Sequence, residues 1–156
     1  MEDNIKTDNI SNEKELANRQ EYPLLYSLKY VLDFYFGEIS VETILNMSAV
    51  NTAGFTSEIA IDVIEEVGLN SAYKDIDAKD IPSHFFPCIV IDKEDKPFVL
   101  LKKDKDIYLW DPIKHKEVQE SKAFLKNFQK AILVFRNPNK EEILDKKERK
   151  TGFGHL

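Results

Sequence analysis

Cysteine is nearly absent from this chain. Cys88 is the only one in 156 residues, so no disulfide can form within it. The cysteine-dense frameworks of small secreted domains are excluded. No apolar run approaches the roughly 20 residues of a membrane-crossing helix, and the opening MEDNIKTDNI lacks the charged-then-apolar order of a signal peptide. Basic residues are outnumbered, 22 Lys and Arg against 28 Asp and Glu, for a net charge of -6. That balance argues against a nucleic-acid binder, which needs a basic face to neutralise phosphates. Glycine is sparse at five residues, and Gly152 and Gly154 form the only close pair, so no phosphate-cradling loop is present. No internal repeat is found. These deficits fit a reducing, cytoplasmic setting. The rest is an ordinary globular composition, 42% hydrophobic and 32% charged, with length for one domain and a real core.

Both ends are polar. Residues 1–20 read as a mobile arm, and residues 138–156 as a linker towards something missing. The folded domain is expected at 21–137. Its first signal is EYPLLYSLKYVLDFYFG. Pro23 suits a first helical turn, where its missing N–H costs nothing. At helical spacing Leu24, Leu28, Val31 and Tyr35 fall on one line, with Leu25 and Leu32 beside them. Tyr26, Tyr30 and Phe34 form a second stripe. Only Lys29 and Asp33 interrupt the circuit, so the helix is expected to be buried on most faces and to end at Gly37. Ser40 caps a short helix over VETILNMS. Thr56 or Ser57 caps SEIAIDVIEEVG, and Asp77 starts a short turn. The period then changes to that of strands: PCIVID, PFVLLKK and DIYLWDP form an antiparallel meander. A short helix, SKAFLKNF, and a last strand, KAILVFR, follow. The class is α+β, with the first helix packed on an antiparallel sheet.

The catalytic inventory is poor. Cys88 would be a nucleophile only beside a base, and it sits in an apolar strand where a buried thiol is ordinary core. Asp111 and His115 are spaced by four, but follow an Asp-Pro turn and read as an exposed turn rather than half a metal site. His84 reads the same way, and His155 falls in the tail. The carboxylate pairs Glu65/Glu66 and Glu141/Glu142 belong to solvated helix faces. Trp110, Tyr26, Tyr30 and Phe34 read first as core, with one or two available to line a groove. No metal or cofactor site is expected.

The order of these elements over 21–137 resembles the papain-like peptidase domain at the N-terminus of bacteriocin-exporting ABC transporters. The resemblance rests on a central helix ending in an aromatic plus Gly, SVETIL, GFTS leading into VGL, then PCIVID, PFVLL, YLWDP and AILVF. In that family an Asp-Cys-Gly motif opens the helix with the nucleophile, a His opens the second meander strand, and an Asp-Pro motif orients the His. Here Pro23 falls at the nucleophile and Leu24 at the glycine. Pro97, before Phe98, falls at the His. Asp111 and Pro112 keep the Asp-Pro motif. The oxyanion glutamine would fall at Ala17, with Gln20 nearby but out of register. A lone Asp cannot perform thiol catalysis, so the resemblance implies a papain-like fold without peptidase chemistry.

Such degeneracy resembles the peptidase-like domains of type I secretion transporters that export haemolysin-type RTX proteins and RTX adhesins. YPLLYSL and AILVFRNP are most similar to the adhesin-exporting branch. The resemblance implies a pseudoenzyme that docks unfolded RTX cargo before export, on the cytoplasmic side of the bacterial inner membrane. Its other partners would be the membrane and ATPase parts of its own transporter. A groove lined by Tyr22, Pro23, Pro97, Phe98, Trp110, Asp111 and Pro112 is expected to hold the cargo. Two alternatives stand beside it: a gating domain that never touches cargo, and a cysteine peptidase with relocated residues Cys88, His115 and Asp111. The chain's end after KTGFGHL is expected to mark an excised domain, with no membrane insertion of its own.

Overall fold

The fold is that of a computed structural model, which describes residues 18–50, 54–119 and 124–136. The first helix, α1, spans Pro23–Phe36. Tyr22 stands at its N-cap without a side-chain cap bond, so the start depends on Pro23, whose ring presets a helical φ. Residues 18–21 are helical and lead into it, Tyr22 N–H donating to the Asn18 carbonyl at 2.8 Å. Ser27, the one fully buried polar side chain among the described residues, donates its hydroxyl to the Pro23 carbonyl at 3.0 Å, which satisfies it within the helix. The helix stops at Gly37, whose φ of +80° suits a residue without Cβ. Asp33 fixes this end twice over: its carbonyl accepts from Gly37 N–H at 2.9 Å, and its Oδ1 from Ile39 N–H at 2.8 Å.

Two shorter helices follow, α2 at Val41–Leu45 and α3 at Ser57–Glu66. Ser40 Oγ caps the first by accepting from Thr43 N–H at 3.1 Å. Thr56, rather than Ser57, caps the second through Ile59 N–H at 3.2 Å. Each bond satisfies a donor that a helix start leaves unpaired.

The strands are β1 (Asn70–Asp75), β2 (Cys88–Asp92), β3 (Pro97–Lys103), β4 (Asp106–Asp111), β5 (Lys116–Gln119) and β6 (Phe128–Phe135). They form one antiparallel sheet in the order β1-β6-β2-β3-β4-β5. The expected meander is β2-β3-β4. The last strand does not extend it but inserts between β1 and β2. The edge strands β1 and β5 were not expected. NSAYKD and KEVQ carry few apolar residues because an edge strand has little to bury, and all four residues of β5 are exposed. The Asp77 turn is the 3-10 segment Ala78–Asp80, formed without a side-chain cap. Of the short helix SKAFLKNF, the described part is the 3-10 turn Phe124–Asn127.

Strand alternation divides the core in two. Ile89 and Ile91 of β2, with Val99 and Leu101 of β3, meet α1 through Leu25, Leu28, Val31 and Leu32. Cys88, Val90 and Leu100 point to the other face. There the 3-10 segments contribute Ala78 and Leu125 to the cover. The helix is less enclosed than its sequence suggested. In its second stripe Tyr26 is buried, Tyr30 half-buried and Phe34 63% exposed.

Leu28 sits fully buried between α1 and the sheet, so Leu28→Ala is expected to cost about 3 kcal/mol. Urea unfolding with an unchanged slope checks this; a loss under about 1 kcal/mol would mean the helix is not packed as described.

Candidate functional site

The boundaries of the elements fall on the residues singled out from sequence. Pro23 opens α1, Pro97 opens β3 and Asp111 closes β4. Pro97 and Pro112 are buried, and Tyr22 is half-buried against the helix-side core. Asp111 is engaged by its own turn: its Oδ1 accepts from Ile113 N–H at 2.8 Å and Lys114 N–H at 3.1 Å. Its carbonyl accepts from His115 N–H at 2.8 Å. This Asx-type closure makes Asp111 a turn former, and it places His115 at a φ of +53°.

The main cavity lies beside this turn, along the second stripe of α1. It is an open groove of about 750 Å³, within the range of ligand-binding clefts. Tyr26 and Tyr30 of α1, with Trp110 and His115 packed against them, make one continuous aromatic wall. The rings touch at a tilt: Tyr30 lies 4.7 Å from Trp110, Trp110 5.0 Å from His115, and His115 5.9 Å from Tyr26. Such spacings give tilted aromatic contact worth about 1 kcal/mol per pair. The far end is made by the α1–α2 connection and α2, with Glu38, Val41, Glu42 and Leu45.

Of the residues expected to line a single groove, Trp110 alone belongs to this cavity. Phe98 lies on the other side of the sheet, in contact with Phe128 at 5.5 Å, beside a separate hollow of about 270 Å³. Strand alternation is the reason: Val99 pairs with Trp110 on the helix side, and its neighbour Phe98 points away. Phe34 borders a third hollow with Phe86, Pro87 and Lys102. His115, read from sequence as part of an exposed turn, is exposed and in a turn, but its ring completes the groove wall. No spacing rule announces this, because its position depends on the Asx turn and on where β4 lies against α1. His84 packs on Phe85 at 4.3 Å within the 3-10 segment Ser83–Phe85. Glu65 and Glu66 occupy the end of α3, where the Ser48 hydroxyl donates to Glu66. Ala17, Glu141, Glu142, Gly152, Gly154 and His155 lie outside the described residues.

One polar network braces the groove. The Tyr30 hydroxyl donates to Glu117 Oε1 at 3.1 Å, and Lys103 Nζ donates to Glu117 Oε2. The hydrogen bond and charge of Lys103 hold the Glu117 carboxyl below its ordinary value. Burial, followed by the charge of Glu117, pushes the Tyr30 phenol up to about 12. Cys88 is fully buried on the far sheet face, and burial pushes its thiol well above the ordinary value. That is the opposite of an activated nucleophile. Among the described residues no three His, Cys, Asp or Glu side chains gather as a metal site.

A phenol whose folded pKa exceeds its unfolded value stabilises the fold below the unfolded pKa. For Tyr30 that contribution is complete below pH 10 and is lost as pH rises through about 12. Ultraviolet titration of the six tyrosines is expected to show a late component, and Tyr30→Phe is expected to reduce it by one tyrosine, leaving the raised Tyr22 and Tyr35. If the variant loses one tyrosine from the early component instead, the network is not formed. For Cys88, a thiol reagent is expected to find no reactive group in the native chain and one after denaturation.

The peptidase C39 family matches residues 13–140. No curated protein matches the chain. Among solved structures, the N-terminal peptidase C39-like domain of a toxin secretion ATP-binding protein from Vibrio parahaemolyticus is similar at a TM-score of 0.60 and 20% identity. That match covers 74% of this chain and 98% of that one. The peptidase domain of Streptococcus ComA, a bifunctional ABC transporter involved in quorum sensing, is similar at 0.55 and 18%, over 71% and 88% of the two chains. A double-glycine-motif protease from an AMS/PCAT transporter, solved with its leader peptide, is similar at 0.54 and 20%, over 71% and 81%. These likenesses agree with the helix-on-sheet architecture, and the match over most of the sequence settles the family: this chain belongs to the peptidase C39 family.

Proposed function

We propose that this chain is a non-catalytic docking domain of a type I secretion ABC transporter, on the cytoplasmic side of the bacterial inner membrane. It holds unfolded RTX-type cargo before export. The observation that carries this reading is the separation of thiol from groove. The chain's only cysteine is buried on the sheet face away from α1, while the groove along α1 is walled by aromatic rings in contact. A peptide groove without a nucleophile can bind but cannot form a thioester. The transporter setting is supported by the described functions of the similar solved domains, one of which holds a peptide. No helix among the described residues is long and apolar enough to cross a membrane, so the membrane part would lie elsewhere in the transporter. RTX cargo is supported by the resemblance of the sequence to that branch. Binding is expected in about the micromolar range, because an unfolded partner loses entropy on ordering.

The test is a titration of isotopically labelled domain with the C-terminal RTX segment of a cargo, once Ca²⁺-free and unfolded, once Ca²⁺-loaded. Amide shifts around Tyr30, Trp110 and His115 with the unfolded form alone are expected. Trp110→Ala should weaken binding at least about tenfold, as for a central aromatic anchor. Phe98→Ala should leave it unchanged, since that ring faces the other way. Spectra of each free variant confirm that it is folded. Equal losses from both variants would refute the groove assignment; no shifts with either cargo form would refute docking.

A further inference from the structure

The groove carries its charge unevenly. The aromatic rings occupy one end; Glu38 and Glu42 line the other, beside Leu45, which is 44% exposed. Among the described residues Lys29 is the only Lys or Arg lining the cavity, and it is committed. Its Nζ lies 2.7 Å from Asp33 Oδ2, while Asp33 Oδ1 takes Ile39 N–H. That pair is neutral and internally satisfied. Among the described residues neither Glu38 nor Glu42 forms an ion pair, and both are exposed. Two uncompensated carboxylates therefore face a cavity whose other end is aromatic.

We infer that the groove selects unfolded segments in which a Lys or Arg lies a few residues from an aromatic or bulky apolar side chain. This rests on the docking reading and narrows its ligand. The ring would pack on the face that Tyr30, Trp110 and His115 present to the cavity, and the cation would be received by Glu38 and Glu42. An acidic stretch is disfavoured because its carboxylates would meet Glu38 and Glu42 at close range, and like charges facing across an interface are strongly unfavourable. The groove therefore takes the basic-aromatic intervals of an unfolded chain and leaves its acidic runs free.

Three synthetic peptides of equal length and no folded structure test this by fluorescence anisotropy at low and high salt. One carries Lys beside an aromatic residue, the second Glu in place of Lys, the third Lys with the aromatic replaced by Ala. The Lys-aromatic peptide should bind on the order of fivefold tighter than the Glu peptide, as two exposed charge contacts allow. High salt should shrink that ratio. Glu38→Gln combined with Glu42→Gln should abolish it while leaving affinity for the Glu peptide equal or better. Equal binding of the Lys and Glu peptides, or a preference that survives in the double variant, overturns the inference. If all three bind alike and Trp110→Ala weakens them, docking stands and the inferred selection, for charge and for the aromatic side chain, falls. If neither these peptides nor the unfolded cargo segment binds, the docking reading falls and takes the inference with it.

Discussion

Everything in this molecule depends on the burial of α1 against β2 and β3. Leu25, Leu28, Val31 and Leu32 are removed from water there by Ile89, Ile91, Val99 and Leu101. Each such aliphatic side chain contributes about 2 kcal/mol relative to exposure. The contact fixes the rotation of the helix about its axis. With that rotation set, the stripe holding Tyr26, Tyr30 and Phe34 has to face away from the leucines. Half of it then becomes the wall of a groove. The groove is thus a by-product of core packing, and no separate element is needed to build it.

The rest of that wall is less securely held. Trp110 and His115 come from the end of β4 and the turn after it, and β5 beyond is an exposed edge strand. The Tyr30–Glu117–Lys103 network ties this edge back to α1 across 87 residues of sequence. Exposed ion pairs contribute little stability, about 0.2–1 kcal/mol. Its place is beside the aromatic contact of Tyr30 with Trp110, where it joins β3, β5 and α1. Asp111 acts within the turn, spending its carboxylate on two backbone amides.

A family sets the architecture, and the site decides what a member does with it. Here the architecture is that of the peptidase C39 family. Proline stands at the start of α1 and at the start of β3, and the one thiol is sealed in the far core. An aromatic cleft with an acidic end remains exposed. Burial and aromatic contact therefore carry the docking reading proposed for this chain.

The sequence by itself determined the local elements. Pro23, Gly37, Ser40 and Thr56 mark helix ends because caps and φ preferences act over a few residues. The short apolar runs PCIVID and PFVLLKK marked central strands, and the α+β class followed from the order of the elements. The edge strands β1 and β5 escaped, because their pairing is decided by neighbours far along the chain and leaves little apolar imprint. The site was legible only in part. Trp110 was expected in a groove, while Tyr26, Tyr30 and Phe34 read first as core, with one or two available to line one. Tertiary structure alone decided that Phe98 faces the other side of the sheet, that His115 packs on Trp110, and that Glu38 and Glu42 share their cavity. Which faces of separate elements meet is set by the packing of α1 on the sheet, a contact between residues some 70 positions apart, such as Leu28 and Val99, and no local spacing records it.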